Sequence, residues 1–337
     1  RQREKDKLAD VASKVQGEFN KKGIKELYSQ LMSMSRKLQY QRLVESGALG
    51  RLPFIQIDSL DKENARVVFQ GTEGAYGQAA MHQFFGDDVN CFHVRTFRDA
   101  MEAIEEGSAD YAVLPIENSS AGPVNEMYDL LDEFENYIVA ETILPVVHTL
   151  SGLPGTKLSE IKRVYSKAEA LMQTTRFLDD HSDWQRISVV NTAIAAKKVL
   201  EDQDKAQAAV CSTYAAKLHG LEVLVDEIND EEDNSTRFIV VTNQKIFLKD
   251  ASKISIEFEL PHESGSLYNI LSHFIYNDLN MTKIESRPVE GKQWEYRFFV
   301  DFDGNLEDAA VKNAIRGLRE EARNLRILGN YSIDGQI

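Results

Sequence analysis

The sequence has few cysteines and no long hydrophobic run. Cys91 and Cys211 are its only two cysteines, they lie far apart, and no CxxC motif or Cys/His cluster surrounds them. This usage argues against a disulfide framework and against a metal site of the usual spacing. No apolar segment approaches the ~20 residues that a membrane-spanning helix needs, and the first residues lack a signal-peptide core. We therefore predict a cytoplasmic protein with reduced thiols, no metal and no membrane as a partner.

Positive charge is also scarce. The chain has 39 Lys and Arg against 54 Asp and Glu, which gives a formal net charge of -15. Nucleic acids and anionic membranes attract clustered basic residues, so neither is an expected partner. A small anionic substrate remains open, because local charges and helix dipoles decide binding inside a cleft. A length of 337 residues exceeds what one core usually holds and predicts two or three domains.

Three short segments combine polar or small residues with an apolar run. Gly71–Tyr76 follows a predicted strand at 67–70, Pro115–Gly122 follows one at 111–114, and Asn234–Phe238 leads into one at 238–241. Turns between a strand and a helix place ligands at strand ends and helix N-termini. In the third segment a hydroxyl that can donate a proton precedes a guanidinium that can hold a carboxylate. Each segment alone is weak evidence, because short motifs recur by chance.

In order and approximate spacing, the three segments together resemble the signatures of prephenate dehydratases of the type that also carries chorismate mutase. The resemblance implies that the chain converts prephenate to phenylpyruvate, CO2 and water in phenylalanine biosynthesis, with no cofactor. It implies two α/β lobes around a cleft over residues 65–245, like type 2 periplasmic binding proteins, with the chain crossing between lobes and returning near Leu221. The alternation of short apolar runs and helical stretches independently predicts an α/β domain with mainly parallel strands.

The resemblance assigns roles residue by residue. Thr236 matches the catalytic threonine, and because a threonine hydroxyl is a very weak acid, we expect a transition-state hydrogen bond or a proton relay. Arg237 is predicted to hold a substrate carboxylate; the alternative is a surface ion pair with the acidic run 230–233. The other predicted substrate-binding residues are Phe238, Thr72, Gly74, Tyr76, Glu117, Asn118, Ser119, Ser120 and His148.

For several of these residues an ordinary structural role is the alternative. Asn118 to Ser120 are also typical of a helix N-cap, the glycine of the first turn is also typical of a tight turn, and His148 is also typical of a core histidine. The chain departs from the family at Gly77, where many members have serine, and at Ser166-Lys167-Ala168-Glu169, where many have Ser-His-Pro-Gln. These changes remove hydrogen-bond donors but leave the Thr-Arg pair unchanged.

The C-terminal region 250–334 shows a βαββαβ pattern, which predicts an α+β ferredoxin-like module. Its predicted strands are 254–260, 281–287, 296–302 and 326–331, and its predicted helices are 266–276 and 306–322. Two segments resemble the phenylalanine-binding motifs of the ACT domain. The resemblance implies that L-phenylalanine is a feedback inhibitor bound between paired modules of a homodimer. The predicted effector-binding residues are Gly265, Ser266, Leu267, Tyr268, Glu285, Ser286, Arg287 and Pro288.

Residues 1–45 are predicted to be helical. Leu8, Val11 and Val15 form one apolar stripe, a second recurs at i, i+4, i+7 and i+11, and Gly23 is expected to separate the two helices. The second stripe consists of Leu27, Leu31, Met34 and Leu38. Residues 46–64 are predicted to be a linker that packs against a domain.

The N-terminal helices resemble the second and third helices of a helical chorismate mutase. The matching residues are Arg3, Glu4, Ser35 and Gln39. The long first helix of that family has no counterpart in the sequence. We therefore expect this chain to lack mutase activity and a longer parent chain to have it. Two alternatives to an enzyme stay open: a non-catalytic amino-acid sensor, and an interaction scaffold assembled through the N-terminal helices and the ACT sheets.

Overall fold

A computed structural model describes residues 2–45, 52–231, 233–260, 262–289 and 291–334. The α-helices are α1 (Gln2–Ser13), α2 (Glu18–Glu45), α3 (Tyr76–Phe85), α4 (Phe97–Glu105), α5 (Asn125–Glu133), α6 (Ala168–Met172), α7 (Thr175–Asp179), α8 (Thr192–Asp202), α9 (Thr213–Leu218), α10 (Ser266–Ile275) and α11 (Ala309–Glu321). None of the helices in these ranges is long and apolar enough to cross a bilayer.

The strands follow the same chain order. They are β1 (Ile55–Ile57), β2 (Arg66–Gln70), β3 (Asn90–Val94), β4 (Tyr111–Asn118), β5 (Gly122–Pro123), β6 (Tyr137–Pro145), β7 (Thr149–Gly152), β8 (Arg163–Ser166), β9 (Gln185–Ser188), β10 (Gln207–Cys211), β11 (Glu222–Val225), β12 (Ser235–Thr242), β13 (Ile246–Leu248), β14 (Lys253–Glu259), β15 (Met281–Pro288), β16 (Tyr296–Asp303), β17 (Arg323–Tyr331) and β18 (Ile333–Asp334). The mixed α/β class predicted from the sequence is confirmed.

The chain divides into two compact units. The central unit consists of Ile55–Asp250 with Leu328–Ile337, and the terminal unit consists of Arg1–Phe54 with Ala251–Ile327. The predicted linker begins in a stretch, 46–51, that lies outside the described residues.

The central unit contains the two-stranded sheet β1-β13 and two larger sheets, around which we define the first and second lobes. The first lobe has the strand order β3-β2-β4-β12-β6, and the second has the order β11-β7-β10-β8-β9. Strand β2 runs parallel to β3 and β4, whereas β12 runs antiparallel to both β4 and β6. In the second lobe, β8 is parallel to its two neighbours and β7 is antiparallel to its two. Four of the five strands of each lobe therefore run in one direction, as predicted, and the exception is β12 in the first lobe and β7 in the second.

The chain crosses between the lobes twice. The apolar segment 138–148 predicts one continuous strand, but β6 ends at Pro145 and β7 starts at Thr149, because proline has no N–H to continue the ladder of hydrogen bonds. The return lies between β11 and β12, later than the predicted position near Leu221. The two crossing segments are joined by hydrogen bonds from Val146 N to Asn234 O (2.8 Å) and from Ile228 N to His148 O (2.9 Å).

Each lobe has its own apolar core. In the first lobe Val67, Phe69, Val113, Phe238 and Val240 form one cluster, against which helix α3 packs. In the second lobe two clusters are formed by residues of β7, β8 and β10 with the helices around them. The lobes are therefore stable units between which polar residues can be placed.

The terminal unit contains the βαββαβ module. Strand β16 pairs antiparallel with both β14 and β15, and the order β15-β16-β14-β17 is that of a ferredoxin-like sheet. Its predicted strands and helices agree with the structure to within a few residues.

The N-terminal helices differ from the prediction in one respect. They are separated at residues 14–17, where Gly17 has a φ of +84°, so the predicted break at Gly23 is wrong. Gly23 lies inside α2, where a glycine costs only about 1 kcal/mol relative to alanine. The second apolar stripe is exposed, whereas Val11 on α1 is buried. The exposed residues are Leu27, Leu31, Met34 and Leu38.

Candidate active site

The hydroxyl of Thr236 lies next to the side-chain amide of Asn118. The two residues are paired across β12 and β4, and Asn118 Nδ2 donates to Thr236 Oγ1 at 2.9 Å. The amide is held in this orientation because its oxygen accepts hydrogen bonds from the backbone N–H groups of Ser120 (3.0 Å) and Ala121 (2.8 Å). Since Thr236 Oγ1 accepts from the amide, its own proton is available for donation to another group.

A chain of hydrogen bonds continues from Asn118 toward the second lobe. Asn118 Nδ2 also donates to Asn234 Oδ1 at 2.8 Å, and Asn234 Nδ2 donates to Gln173 Oε1 at 3.2 Å. The same oxygen lies 3.0 Å from His148 Nε2. Gln173 Oε1 therefore receives two hydrogen bonds, and Gln173 also lines a cavity described below. We call the set Tyr76, Asn118, His148, Gln173, Asn234 and Thr236 the amide network.

Tyr76 and His148 close the network on the first lobe. The Tyr76 hydroxyl donates to Val147 O at 2.9 Å and lies 3.1 Å from His148 Nδ1. Burial lowers the pKa of His148, an effect that its hydrogen bond to Gln173 partly opposes, and burial raises the pKa of Tyr76. Both side chains are therefore neutral at physiological pH. The two ring nitrogens of His148 are thus held by the Gln173 oxygen and the Tyr76 hydroxyl.

The first predicted motif contacts helix α8 of the second lobe. The Thr72 hydroxyl is 3.4 Å from Asn191 Nδ2, and Asn191 caps helix α8 of the second lobe by accepting from Ile194 N at 2.7 Å. A Cβ at Gly74 would lie 3.3 Å from the Cβ of Ala193, and the φ of Gly74 is +86°. Glycine is required here both for the backbone conformation and for the approach of the second lobe.

A cavity of about 320 Å³ lies beside the amide network. Gln173 and Asn234 line it, and Asn118 joins Asn234 to Thr236, which is not a lining residue. Three of its lining residues are acidic, and each carboxylate has a partner: Asp230 accepts from Thr175 N, Glu169 pairs with Lys167, and Glu231 accepts from Ser120 Oγ. The lining residues are Ser120, Ala121, Glu169, Met172, Gln173, Asn229, Asp230, Glu231 and Asn234.

The predicted serines join the second and third motifs. Ser119 Oγ donates to Asp233 O and accepts from Ser235 N, both at 2.9 Å, and Ser119 N donates to Ser235 O at 2.9 Å. These bonds fix the loop that precedes β12. The alternative of a helix N-cap does not apply, because this segment pairs with β5 before α5 begins.

Arg237 and Phe238 are placed differently from Thr236. Arg237 lies 3.2 Å from Glu117 and 3.3 Å from Glu141, so the alternative of a surface pair with residues 230–233 is replaced by a buried pair. Phe238 is 2% exposed in the core of the first lobe. The core position of Phe238 gives it a packing role that supports β12, in place of the predicted contact with substrate.

Sequence analysis missed Gln173, and it did not assign a role to Asn234 or Asn191. Gln173 follows the short helix α6, and Asn191 precedes α8. No local pattern distinguishes either residue from any other polar residue at a helix end. Asn234 belongs to the third motif, and its 3% exposure is the observation that gives it a role.

The predicted effector residues lie at one end of the sheet in the terminal unit. Gly265, with a φ of +87°, precedes α10 at its N-terminus, and Glu285 to Pro288 end β15. Arg297 of β16 pairs with Glu259 at the end of β14 and with Arg287 near the end of β15. The strands β14 and β15 therefore end at the same edge of the sheet. A cavity of about 350 Å³ there is lined by Ser266 and Leu267, among others.

The four predicted mutase residues line one open cavity of about 670 Å³ between α1 and α2, namely Arg3, Glu4, Ser35 and Gln39. Arg36 and Lys7 also line it, but both pair with acidic residues, Arg36 with Glu4 and Lys7 with Asp10. Two of the three basic residues in this lining are therefore paired with carboxylates.

The central unit thus has two α/β lobes joined by a network of side-chain amides that ends at the hydroxyl of Thr236. Residues 67–246 match the prephenate dehydratase family. The bifunctional chorismate mutase/prephenate dehydratase of Escherichia coli K12 is 32% identical over 299 residues, which cover 87% of this chain and 78% of that protein. The chain therefore belongs to the prephenate dehydratase family.

Other relatives extend the comparison. Arogenate dehydratase/prephenate dehydratase 2 of Arabidopsis thaliana is 34% identical over 92% of this chain and 81% of that protein. The prephenate dehydratase of Arthrobacter aurescens, solved in complex with L-Phe, has a TM-score of 0.73 and 32% identity over 79% of this chain and 89% of that one. A protein described as GqqA, a quorum-quenching acylase, has a TM-score of 0.74 and 30% identity over 80% and 98%.

Proposed function

We propose that this protein is a prephenate dehydratase in which Thr236 donates the hydrogen bond that assists departure of the ring hydroxyl. The single observation that carries the proposal is the direction of the hydrogen bond between Asn118 and Thr236. An amide that donates to Oγ1 leaves the threonine proton for the substrate, and it also makes the hydroxyl a better donor, because hydrogen bonds in a chain polarise one another.

The reaction needs little besides this donor. The ring hydroxyl accepts a proton and leaves as water, the ring carboxylate leaves as CO2, and the electron pair of the broken C–C bond completes the aromatic ring. A donor placed at the leaving oxygen acts mainly in the transition state, where negative charge develops on that oxygen. The proton is replaced from solvent when the cleft opens.

The carboxylates of prephenate are matched by neutral donors in this site. The Nε2 hydrogens of Gln173 and the N–H groups at the N-termini of α3 and α8 point to such a role, because amide donors and helix termini both favour anions. His148 and Tyr76 keep the network in one orientation. Since His148 is neutral, we expect kcat to vary little between about pH 6 and about pH 8.

Acyl hydrolysis, the activity named for the GqqA relative, is less well supported. A nucleophilic threonine needs a base that accepts its proton. Within the described ranges, the groups that bond to Thr236 Oγ1 donate to it, and His148 bonds to Gln173 and Tyr76 instead. This geometry favours a proton donor over a nucleophile, and catalysis over the alternatives of a sensor or a scaffold.

Phenylalanine is the effector we propose for the terminal unit, read as an ACT domain over residues 250–334. The L-Phe complex of the Arthrobacter relative supports this proposal. A homodimer would pair two such modules, and the ligand would contact residues 265–268 and 285–288.

For the N-terminal helices we propose no mutase turnover by this chain, because Arg36 and Lys7 are paired with carboxylates. Conversion of chorismate by this chain would contradict that statement.

The test of the proposed function is conversion of prephenate, followed by the ultraviolet absorbance of phenylpyruvate. Thr236→Ala should lower kcat by about 100-fold or more with little change in KM, and Thr236→Ser should recover much of it, because the hydroxyl is retained. Activity of Thr236→Ala within about threefold of the parent, under ~0.7 kcal/mol of barrier, would reject the role of Thr236. Arogenate is assayed in parallel. Faster turnover of arogenate than of prephenate would identify arogenate as the substrate.

A further inference from the structure

A buried group of three charges lies directly behind the Thr236–Asn118 pair. Arg237 Nη1 is 3.3 Å from Glu141 Oε2, and Arg237 Nη2 is 3.2 Å from Glu117 Oε2. The side chains are 14% exposed for Arg237, 1% for Glu141 and 34% for Glu117. We call these three residues the charge clamp.

The register of the strands places the clamp on the reverse face of the sheet. Across β12 and β4, Thr236 is opposite Asn118 and Arg237 is opposite Glu117. Adjacent residues of a strand point to opposite faces, so the two polar pairs lie back to back. Glu141 on β6 pairs with Ile239 of β12, which puts its side chain on the same face as that of Arg237. The clamp therefore joins three adjacent strands.

The clamp lies at an irregular part of the sheet. Between Arg237 and Phe238 the register with β4 shifts, because Phe238 pairs with Pro115 and Ile116 is an extra residue. A bulge of this kind changes the local twist and the direction of the side chains that follow. The strand segment that carries Asn118 is therefore not fixed by regular pairing alone, and an additional tie from Glu117 to Arg237 limits its orientation.

Burial sets the chemistry of the clamp. A carboxylate that is 1% exposed needs a charged partner, because an isolated buried charge is very unfavourable. Arg237 supplies that partner and uses its other terminal nitrogen for Glu117. Both nitrogens of the guanidinium fork are thus directed to protein carboxylates, on the face of β12 opposite the hydroxyl that acts on the substrate.

We infer that Glu141 is a positioning residue for the dehydration, which acts by holding Arg237 between β6 and β4 so that Asn118 meets Thr236 on the other face. The inference rests on the proposed function and assigns Arg237 to the clamp instead of to the substrate carboxylate. Glu141 touches no reacting atom. Its effect on turnover is transmitted through the backbone of β12 and β4.

The test compares Glu141→Gln and Arg237→Lys with a matched control, Glu133→Gln. Glu133 also pairs with an arginine of the central unit, Arg98 at 2.6 Å, but that pair is exposed and lies on α4 and α5. We expect Glu141→Gln to lower kcat at least tenfold while KM stays within about threefold, and Glu133→Gln to change neither. A rise in KM for Arg237→Lys with kcat unchanged would overturn the inference, because a substrate ligand behaves in that way.

A second readout separates positioning from general stabilisation. In a Thr236→Ala background, Glu141→Gln should have almost no further effect on the residual rate, because the group that it positions is gone. Full additivity of the two losses would overturn the inference. A thermal-unfolding midpoint is measured for every variant, so that loss of folded protein is not counted as loss of kcat.

A third readout does not depend on the reaction. Ser119 N donates to Ser235 O, and Ala121 N donates to Asn118 Oδ1, so hydrogen exchange at these amides reports on the geometry in front of the clamp. We expect exchange at least about tenfold faster in Glu141→Gln and unchanged in Glu133→Gln. If the parent does not convert prephenate, the proposed function fails, whereas unchanged exchange in Glu141→Gln and in Arg237→Lys overturns the clamp by itself.

Discussion

The amide network and the β14 face bury polar groups in different ways. In the cleft of the central unit, Asn118, Gln173 and Asn234 connect the lobes through neutral amides. Along β14 of the terminal unit, Glu257 and Glu259 are 2% and 3% exposed. Both carboxylates form ion pairs. Glu257 lies 3.3 Å from Arg326. Glu259 lies 2.8 Å from Arg297 and 2.9 Å from Lys292.

The difference shows how each region responds to its surroundings. A neutral amide has a fixed set of donors and acceptors, so the orientation that it imposes does not change with pH. A buried carboxylate changes its charge when its pKa is crossed, and its surroundings gain or lose stability with it. The cleft is thus suited to a constant geometry, and the β14 face is sensitive to conditions.

The largest effect should come from breaking the neutral network at Gln173. Gln173→Leu removes the oxygen that accepts from Asn234 and His148, leaves two donors without that acceptor, and takes away the amide hydrogens that we propose bind the substrate carboxylates. We expect kcat to fall by about 100-fold to 1000-fold in the prephenate assay. Gln185→Leu, which changes an exposed glutamine of β9, is the control, and an equal loss in both variants would contradict the role of Gln173.

The next effect concerns the charged face. Burial raises the pKa of Glu257 to about 7, against the opposing influence of Arg326. A raised pKa means that the folded protein holds a proton that the unfolded chain has released, so the contribution of this group is fully present below about pH 4.5 and is lost as pH rises through about 7. The loss amounts to at most about 3 kcal/mol.

Denaturant unfolding of the parent and Glu257→Gln from about pH 4 to about pH 8 tests this statement. Glutamine keeps the shape of the protonated carboxyl and cannot ionise, so the variant should lose less stability than the parent as pH rises. Parallel stability curves for the two proteins across this range would show that Glu257 does not titrate as expected.

A smaller effect is expected at the proposed effector site. Gly265→Val places a β-branched residue at a φ of +87°, a conformation that such residues rarely adopt. We expect the turn before α10 to rearrange, so that inhibition by phenylalanine weakens by about tenfold, or ~1.4 kcal/mol, while the uninhibited rate is unchanged. Gly220→Val, which has a φ of +66° in the central unit, is the matched control. Calorimetry that detects no phenylalanine binding to the parent would leave the module as a dimerisation device.

The smallest effect should be at Arg36. This residue contacts Glu4 and also lies 3.7 Å from Glu321, and its side chain is 35% exposed. Pairs of this exposure contribute about 0 to 1 kcal/mol and are screened by salt. Arg36→Ala should therefore lower the unfolding midpoint by only a few degrees, less at high salt. A large shift of the unfolding midpoint that does not depend on salt would show that this pair stabilises the fold as a buried ion pair does.

Local patterns predicted most of the regular structure. The apolar runs at 67–70, 111–114 and 238–241 lie in β2, β4 and β12, because a buried strand needs a continuous apolar segment. Short edge strands such as β3 and β9 were not predicted, since their residues are half-exposed and carry no clear alternation. The position of the crossing at Pro145 follows from backbone chemistry, and it was missed because the apolar residues continue past it.

The site was predictable only where its residues are adjacent in the chain. Thr236 and Asn118 lie in recognisable segments, but the contact between them depends on the pairing of β12 with β4, across 118 residues of sequence. Gln173 is brought to the site by the fold of the second lobe. The direction of Arg237 could not be predicted from its neighbour Thr236, because alternation in a strand sends the two side chains to opposite faces, and the sequence contains many carboxylates that could have been its partner.

The pairing of β6 with the last strands has a consequence for synthesis of the protein. Gly329 of β17 pairs with Ile138, and Ile333 of β18 pairs with Glu141. A Cβ at Gly329 would lie 2.1 Å from the carbonyl oxygen of Ile138, so this contact admits only glycine. The ribosome adds about 190 residues between Ile138 and Gly329, which at 5 to 20 residues per second takes about 10 to 40 seconds. During that time this edge of β6, the strand that carries Glu141, has no pairing strand from the C-terminal segment.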